Sequence, residues 1–326
     1  MNAVKFSKTQ LVQILGKISS EYRLVGPVLE DGILVFKEIE RIEDLVIHDA
    51  LPYKSPKELL FPRVEQILAF DEQGGISGDE PGPPTVIFGV KPCDLEALQI
   101  MRAIFTQGKF QDLYFQRRWE RTILIGQSCL KEKPGCFCKQ RGLDPGYSSA
   151  ADIFVSQDGG TYRGELLTER GQNLFKGYEL ETAPERVKAA QKPLEPILEL
   201  KGSEKELFEQ VNWEAIAEKC LGCGVCTVLC PTCHCFEFKD VSEGGINYRY
   251  RCWDSCMFPK FTLHASGHNP RATKKERIRQ RVLHKYHYLK QNTGFTGCTG
   301  CGRCLRSCPA GMNIKAIVTK IMEEIR

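Results

Sequence analysis

Two nearly identical cysteine runs constrain this chain more than any other feature. Cys220-Leu-Gly-Cys223-Gly-Val-Cys226-Thr-Val-Leu-Cys230-Pro231 and Cys298-Thr-Gly-Cys301-Gly-Arg-Cys304-Leu-Arg-Ser-Cys308-Pro309 share one spacing, C-x2-C-x2-C-x3-C-P. Thiols this close in sequence converge only through consecutive tight turns, and the intervening glycines permit the backbone such turns need. The runs belong to a set of sixteen cysteines in 326 residues, twelve of them between Cys220 and Cys308. A chain of this length can bury a full core and does not need disulfide staples. Its opening segment lacks a long apolar stretch and a small-residue cleavage site, which argues against a signal peptide. The longest uncharged apolar runs, such as Thr85 to Val90, are far too short to span a bilayer. The expected setting is the reducing cytoplasm, where abundant thiols are metal ligands more often than disulfides.

The run pattern is that of bacterial-type ferredoxins, in which the fourth cysteine ligates the other cluster of a pair. That reading assigns Cys220, Cys223, Cys226 and Cys308 to one [4Fe-4S] cluster, and Cys298, Cys301, Cys304 and Cys230 to a second. Paired C-x2-C motifs also bind zinc, but zinc takes two pairs per ion rather than a triple with an outlying Cys-Pro. The runs begin 78 residues apart, far wider than in compact βαββαβ ferredoxins. The arrangement resembles the α-helical ferredoxin modules found in succinate dehydrogenases and heterodisulfide reductases. That resemblance implies conduction of electrons, one at a time.

The sequence predicts two domains, 1–200 and 201–326. The first reads as α/β or α+β. Ser7 can cap a helix carrying Leu11, Ile14, Leu15 and Ile18, and strands flank the Asp31-Gly32 turn. Val86 to Val90 and Thr122 to Gly126 read as short buried strands. A charged, proline-punctuated segment from Thr182 to Ser203 reads as helix and linker. The second region reads as an α-helical, ferredoxin-type domain. Helical spacing is expected over Glu204–Lys219, Lys274–Lys290 and Met312–Ile325, with little strand.

Eight cysteines lie outside the runs. Cys93, Cys129, Cys136 and Cys138 follow two predicted strands, whose adjacent ends can bring loop ligands together. They form a candidate third [4Fe-4S] site, with a structural zinc or free buried thiols as the alternatives. Cys233, Cys235, Cys252 and Cys256 form a fourth candidate metal-binding quartet, weighed against small buried residues with no ligand role. His234 lies between two of these cysteines and is expected simply to hydrogen-bond nearby. Cys226, Cys230 and Cys233 match a radical S-adenosylmethionine spacing, but two of them already belong to the first run. No Cys-Cys-Gly pair, no G-x-G-x-x-G after a strand and no P-loop occurs, so nicotinamide or ATP binding has no support. The formal net charge of +4 is mild. One basic stretch, His268 to Lys290, reads as a solvated helix face or a partner-docking surface. No nucleic-acid recognition motif accompanies it.

Several segments together resemble one family. They are Ser55-Pro56-Lys57-Glu58-Leu59-Leu60-Phe61-Pro62, Phe88-Gly89-Val90-Lys91-Pro92-Cys93-Asp94-Leu95, Cys136-Phe137-Cys138 and Cys230-Pro231-Thr232-Cys233-His234-Cys235. Trp253-Asp254-Ser255-Cys256-Met257-Phe258 and Gly267-His268-Asn269-Pro270-Arg271 continue the likeness. The chain resembles the iron–sulfur (beta or A-type) subunit family shared by cytosolic sulfhydrogenases and anaerobic sulfite reductase. The resemblance implies an electron conduit with no catalytic residues of its own. It would lie between a flavin subunit handling NAD(P)H and a metal-containing hydrogenase or reductase subunit. The sequence departs from the family pattern after Cys138 and at Cys252. Two rival readings are a subunit with its own catalytic cluster at Cys233, Cys235, Cys252 and Cys256, with His234, His264 or His268 as acids, and a redox-sensing regulator.

Overall fold

The computed structural model describes residues 3–47, 51–71, 73–78, 82–184 and 198–325. Most of the linker read between Thr182 and Ser203, residues 185–197, lies outside the described residues.

Ten strands come from the first region: β1 (Ala3–Phe6), β2 (Arg23–Glu30), β3 (Ile33–Glu38), β4 (Val64–Asp71), β5 (Ile76–Gly78), β6 (Thr85–Val90), β7 (Thr122–Gln127), β8 (Ile153–Asp158), β9 (Thr161–Leu166) and β10 (Glu181–Thr182). Eight of them form one sheet in the order β10-β1-β9-β8-β7-β6-β2-β3. Its centre, β2, β6, β7 and β8, is parallel, and antiparallel strands flank it on both sides. Every residue of β6 and β7 is buried. That is why their sequences are unbroken apolar runs: a parallel strand covered on both faces has no solvent side to leave polar. The helix Lys8–Glu21 covers one face, with Ser7 accepting from Gln10 N at 3.2 Å and Leu11, Ile14, Leu15 and Ile18 turned inward. Asp31 and Gly32 both take positive φ, 49° and 76°, as a two-residue hairpin turn requires. The helices Pro92–Thr106 and Leu113–Glu120 carry the crossover from β6 to β7. Cys93 and Cys129 therefore sit just past the carboxyl ends of adjacent parallel strands.

The second region differs from the sequence reading. Strands β11 (Phe236–Glu243) and β12 (Ile246–Trp253) form a hairpin between the two cysteine runs. It closes on Gly244-Gly245, at φ 59° and 77°, and Arg249 grips Asp240 across it through two hydrogen bonds of 2.7 Å. β12 pairs with β4, giving a four-stranded antiparallel sheet, β11-β12-β4-β5, drawn from both halves of the chain. Buried Arg251 anchors it, donating to Glu65 through Nε at 2.8 Å and also to Asp112. Cross-strand pairing and a glycine-pair turn outweighed the helical character of the flanking sequence. The remaining elements are helical and mostly short: Glu204–Glu209, Trp213–Ala217, Val225–Val228, Arg303–Arg306 and Ile314–Glu324. The longest path, Lys274–Leu283, continues through a π-helical segment, His284–Tyr288, into Leu289–Thr293. Among the described residues, no helix is long and apolar enough to cross a membrane.

Candidate metal centres

The two cysteine runs fold alike. In the first, Gly222 and Gly224 take φ of 69° and 76°, and Gly224 starts the short helix that carries Cys226. In the second, Gly300 and Gly302 take 67° and 72°, and Gly302 starts the helix that carries Cys304. Alternating left-handed glycines turn the cysteines inward and expose backbone N–H groups. One of these, Gly222 N, donates to Cys220 Sγ at 3.3 Å.

Each run surrounds a cavity, and each cavity takes a cysteine from the other run. Cys220, Cys223, Cys226 and Cys308 line the first, together with Cys304. Cys298, Cys301, Cys304 and Cys230 line the second. Among the described residues, no three His, Cys, Asp or Glu side chains close on a point as a single metal ion would need. The thiols instead border a larger space.

The charges around that space are unbalanced in a telling way. Arg281 borders both cavities and is 6% exposed; its Nη2 donates to Cys226 O at 3.3 Å, and its Nε has no partner. Lys285, 4% exposed in the π-helical segment, donates to Cys230 Sγ at 3.1 Å, Thr232 Oγ1 at 2.9 Å and Gly297 O at 2.9 Å. Lys57 donates to the carbonyls of Cys230 and Cys233 at 3.1 and 2.8 Å and lies over the Trp253 ring; burial pulls its pKa below the usual lysine range. Buried cations with carbonyl and sulfur partners, rather than carboxylates, call for an anion close by. Thr299 Oγ1 is also buried there with no partner. Burial pushes the Cys301 thiol up to about 11 and Cys304 to about 12, so these sulfurs are neutral until positive charge enters. Cysteine donors, unfilled polar atoms and surplus buried cations fit thiolate-bound iron–sulfur clusters.

The third set lies against the second run. Cys93 is buried within electrostatic reach of Cys301 and Cys138, and Cys138 within reach of Cys136 and Cys129. Cys136 Sγ lies 3.3 Å from Cys301 O, and Phe137 N donates to Gly300 O at 2.8 Å. Arg303 seals the junction. It is 2% exposed, binds both oxygens of Asp94 at 2.6 and 2.8 Å, and donates to the carbonyls of Pro52 and Tyr53. Buried Lys91 crosses from the end of β6 to Gln127 Oε1 and Ser128 O, at 3.0 and 3.1 Å, beside Cys129. The contact is so close that a Cβ on Gly302 would lie 2.4 Å from Gly135 O. Gly302→Ala is therefore expected to cost roughly 2–4 kcal/mol, from the left-handed backbone and the overpacking together. A shift in urea midpoint checks this; an unchanged midpoint would mean the two loops do not touch.

In the fourth quartet the closest contacts run in pairs. Cys235 hydrogen-bonds Cys256, which lowers Cys235 to about 7. Cys233 contacts Cys230 of the first run instead. Cys252 stands on β12, its side chain alternating to the opposite sheet face from Arg251, within reach of Lys239. His234 contacts Thr232 O at 3.0 Å, and burial lowers it to about 4, so it is neutral. His264 and His268 are exposed on a surface loop.

Four site residues escaped the sequence reading: Lys57, Arg281, Lys285 and Arg303. The basic stretch, read as a solvated helix face or a partner-docking surface, is corrected at its inner residues: Arg277, Arg281 and Lys285 are buried, while Lys274 and Lys290 stay exposed. Their spacing of four, beside Ile278, Val282 and Tyr286 one residue on, was the available signal: it puts them on the inward side of one helix.

Three comparisons bear on this geometry. A family model described as a 4Fe-4S dicluster domain matches residues 219–312. The chain is 30% identical to sulfhydrogenase 2 subunit beta of Pyrococcus furiosus, over a 346-position alignment covering all of this chain and 99% of that one. No solved structure matches the chain.

Proposed function

Because the chain belongs to the sulfhydrogenase beta iron–sulfur subunit family, we propose that it is the internal electron relay of a multi-subunit oxidoreductase. The observation that carries this reading is the pair of cavities, in each of which three cysteines of one run meet the fourth cysteine of the other, with a third cysteine set against the second run. Cys220, Cys223, Cys226 and Cys308 would hold one [4Fe-4S] cluster, and Cys298, Cys301, Cys304 and Cys230 a second. Cys93, Cys129, Cys136 and Cys138 would hold a third. Bound, such clusters take up and release single electrons.

The chain's own residues set the conditions for that relay. Lys285 points its ammonium at Cys230 sulfur, and Arg281 stands between the two cavities. Both favour the more negative charge state of whatever the thiolates hold. Arg303 and Asp94, both buried, hold the third set against the second run. The electron source would be a flavin subunit linked to NAD(P)H and the sink a metal-containing hydrogenase or reductase subunit, or the reverse, in the cytoplasm.

The test is iron and acid-labile sulfide per chain, with EPR of the dithionite-reduced protein. About 12 irons are expected, four per cluster. About 8 would remove the third cluster, and about 16 would mean that Cys233, Cys235, Cys252 and Cys256 also bind one. Turnover of sulfite, polysulfide or dihydrogen by the isolated subunit would overturn the relay reading.

A further inference from the structure

Among the described residues, Cys223 is the one exposed cysteine. Its surroundings are organised. Leu221 is 68% exposed beside it, and the Phe258 ring lies over Gly224, where an added Cβ would come within 2.5 Å of it. Beyond Phe258 the chain forms a surface loop that carries Leu263 at 48% exposure, with Lys260, His264 and His268 also exposed.

This loop has defined hydrogen bonding. Asn269 is its hub: it accepts from Thr262 Oγ1 at 2.8 Å and Arg271 N at 3.0 Å, and donates to Pro259 O at 2.6 Å. His264 N donates to His268 O at 2.9 Å. Buried Arg277 holds the far end through the carbonyls of Arg271 and Ala272, at 3.1 and 2.8 Å. A preformed loop that starts at Phe258 beside the run and shows water a second apolar side chain, Leu263, is built for contact.

Charge identifies the kind of contact. From Met257 to Lys274 the chain holds Lys260, Arg271 and Lys274 and no carboxylate, while Lys275 pairs with Glu214 at 3.7 Å. Lys274 reaches back to Glu218 O at 3.3 Å, which brings its positive end to the side of the first run.

We propose that Leu221, Cys223 and the loop from Phe258 to Thr273 form the docking face for an acidic protein that exchanges electrons with this chain at the Cys220–Cys226 run. The inference rests on the relay reading above and adds the place of exchange and the sign of the partner's surface. One electron passes between the partner's redox centre and this chain; one side is oxidised, the other reduced, and no atom moves. Apolar contact at Leu221, Phe258 and Leu263 brings the centres together, while the basic rim steers the encounter and fixes its orientation.

The test uses the full chain with its clusters in place, in anaerobic stopped flow. The probes are a reduced acidic ferredoxin and, separately, reduced methyl viologen, a small cation. With ferredoxin, the rate should fall about tenfold as ionic strength is raised, since steering is screened. The variant K260E/K274E should lose about tenfold at low salt while its methyl viologen rate is not lowered. A ferredoxin rate unmoved by both salt and K260E/K274E would overturn the docking face, with normal methyl viologen reduction showing that the relay stands. Failure of methyl viologen to reduce the wild-type chain would sink the relay itself.

Discussion

Replacing Cys308 with alanine is expected to remove a cluster from the first run, not from the run in which Cys308 lies. Cys308 borders the same cavity as Cys220, Cys223 and Cys226, while Cys230 borders that of Cys298, Cys301 and Cys304. Single variants cannot separate crossed from uncrossed ligation, because either loses about four irons. Pairs of substitutions can. With crossed ligands, Cys308→Ala combined with Cys220→Ala strikes one site twice and costs about four irons per chain. Cys308→Ala combined with Cys298→Ala strikes two sites and costs about eight. Iron and sulfide analysis reads the difference directly, and EPR of the reduced variants adds a second readout. The reverse pattern of losses would show that each run serves its own cluster.

Removing Arg303 should have the largest effect on stability. Its guanidinium is buried on Asp94, a carboxylate with no exposure, and it also satisfies backbone carbonyls at Pro52 and Tyr53. Arg303→Leu leaves that carboxylate charged and unpaired, which costs about 3–5 kcal/mol. Asp94→Leu, by the same argument, strands the arginine. The double variant should recover a large part of the loss, because apolar replacement of both partners of a buried pair is often close to neutral. It should not recover all of it, since the carbonyls of Pro52 and Tyr53 lose their donor. Denaturant unfolding of the cluster-loaded protein measures each term. A change under about 1 kcal/mol for Arg303→Leu, on the same order-of-magnitude scale, would show that the pair is not buried in solution. Loss of the junction should also loosen the third cysteine set, since Asp94 adjoins Cys93 and Arg303 adjoins Cys304.

Both expectations depend on contacts between distant parts of the chain, and such contacts mark the limit of what the sequence disclosed. Local patterns read well. Ser7 capping Leu11, Ile14, Leu15 and Ile18, the Asp31-Gly32 hairpin, and the buried runs at β6 and β7 all follow from side-chain period and turn chemistry. The Phe236–Trp253 hairpin went unread, although Gly244-Gly245 marks its turn and Ile246, Tyr248 and Tyr250 alternate with Asn247, Arg249 and Arg251, because β11 is almost wholly exposed and has no apolar face of its own to bury. Its partner β4 lies far earlier in the chain, with Ile246 opposite Asp71 and Cys252 opposite Val64, and nothing local announces a pairing at that range.

The cysteines divide the same way. By itself, the sequence determined the two runs, the glycines that turn them and the family to which they point, because the spacing of adjacent ligands is a local property of the backbone. Only the tertiary structure decided which cations stand against the thiols. Lys57 reaches the carbonyl of Cys230 across 173 residues of chain, and Arg281 and Lys285 reach Cys226 and Cys230 across 55 each. Arg303 finds Asp94, the neighbour of Cys93, across 209. In sequence they are ordinary surface-type residues. They become part of the site because burial removes the water that would otherwise screen their charge, and the fold alone determines what is buried.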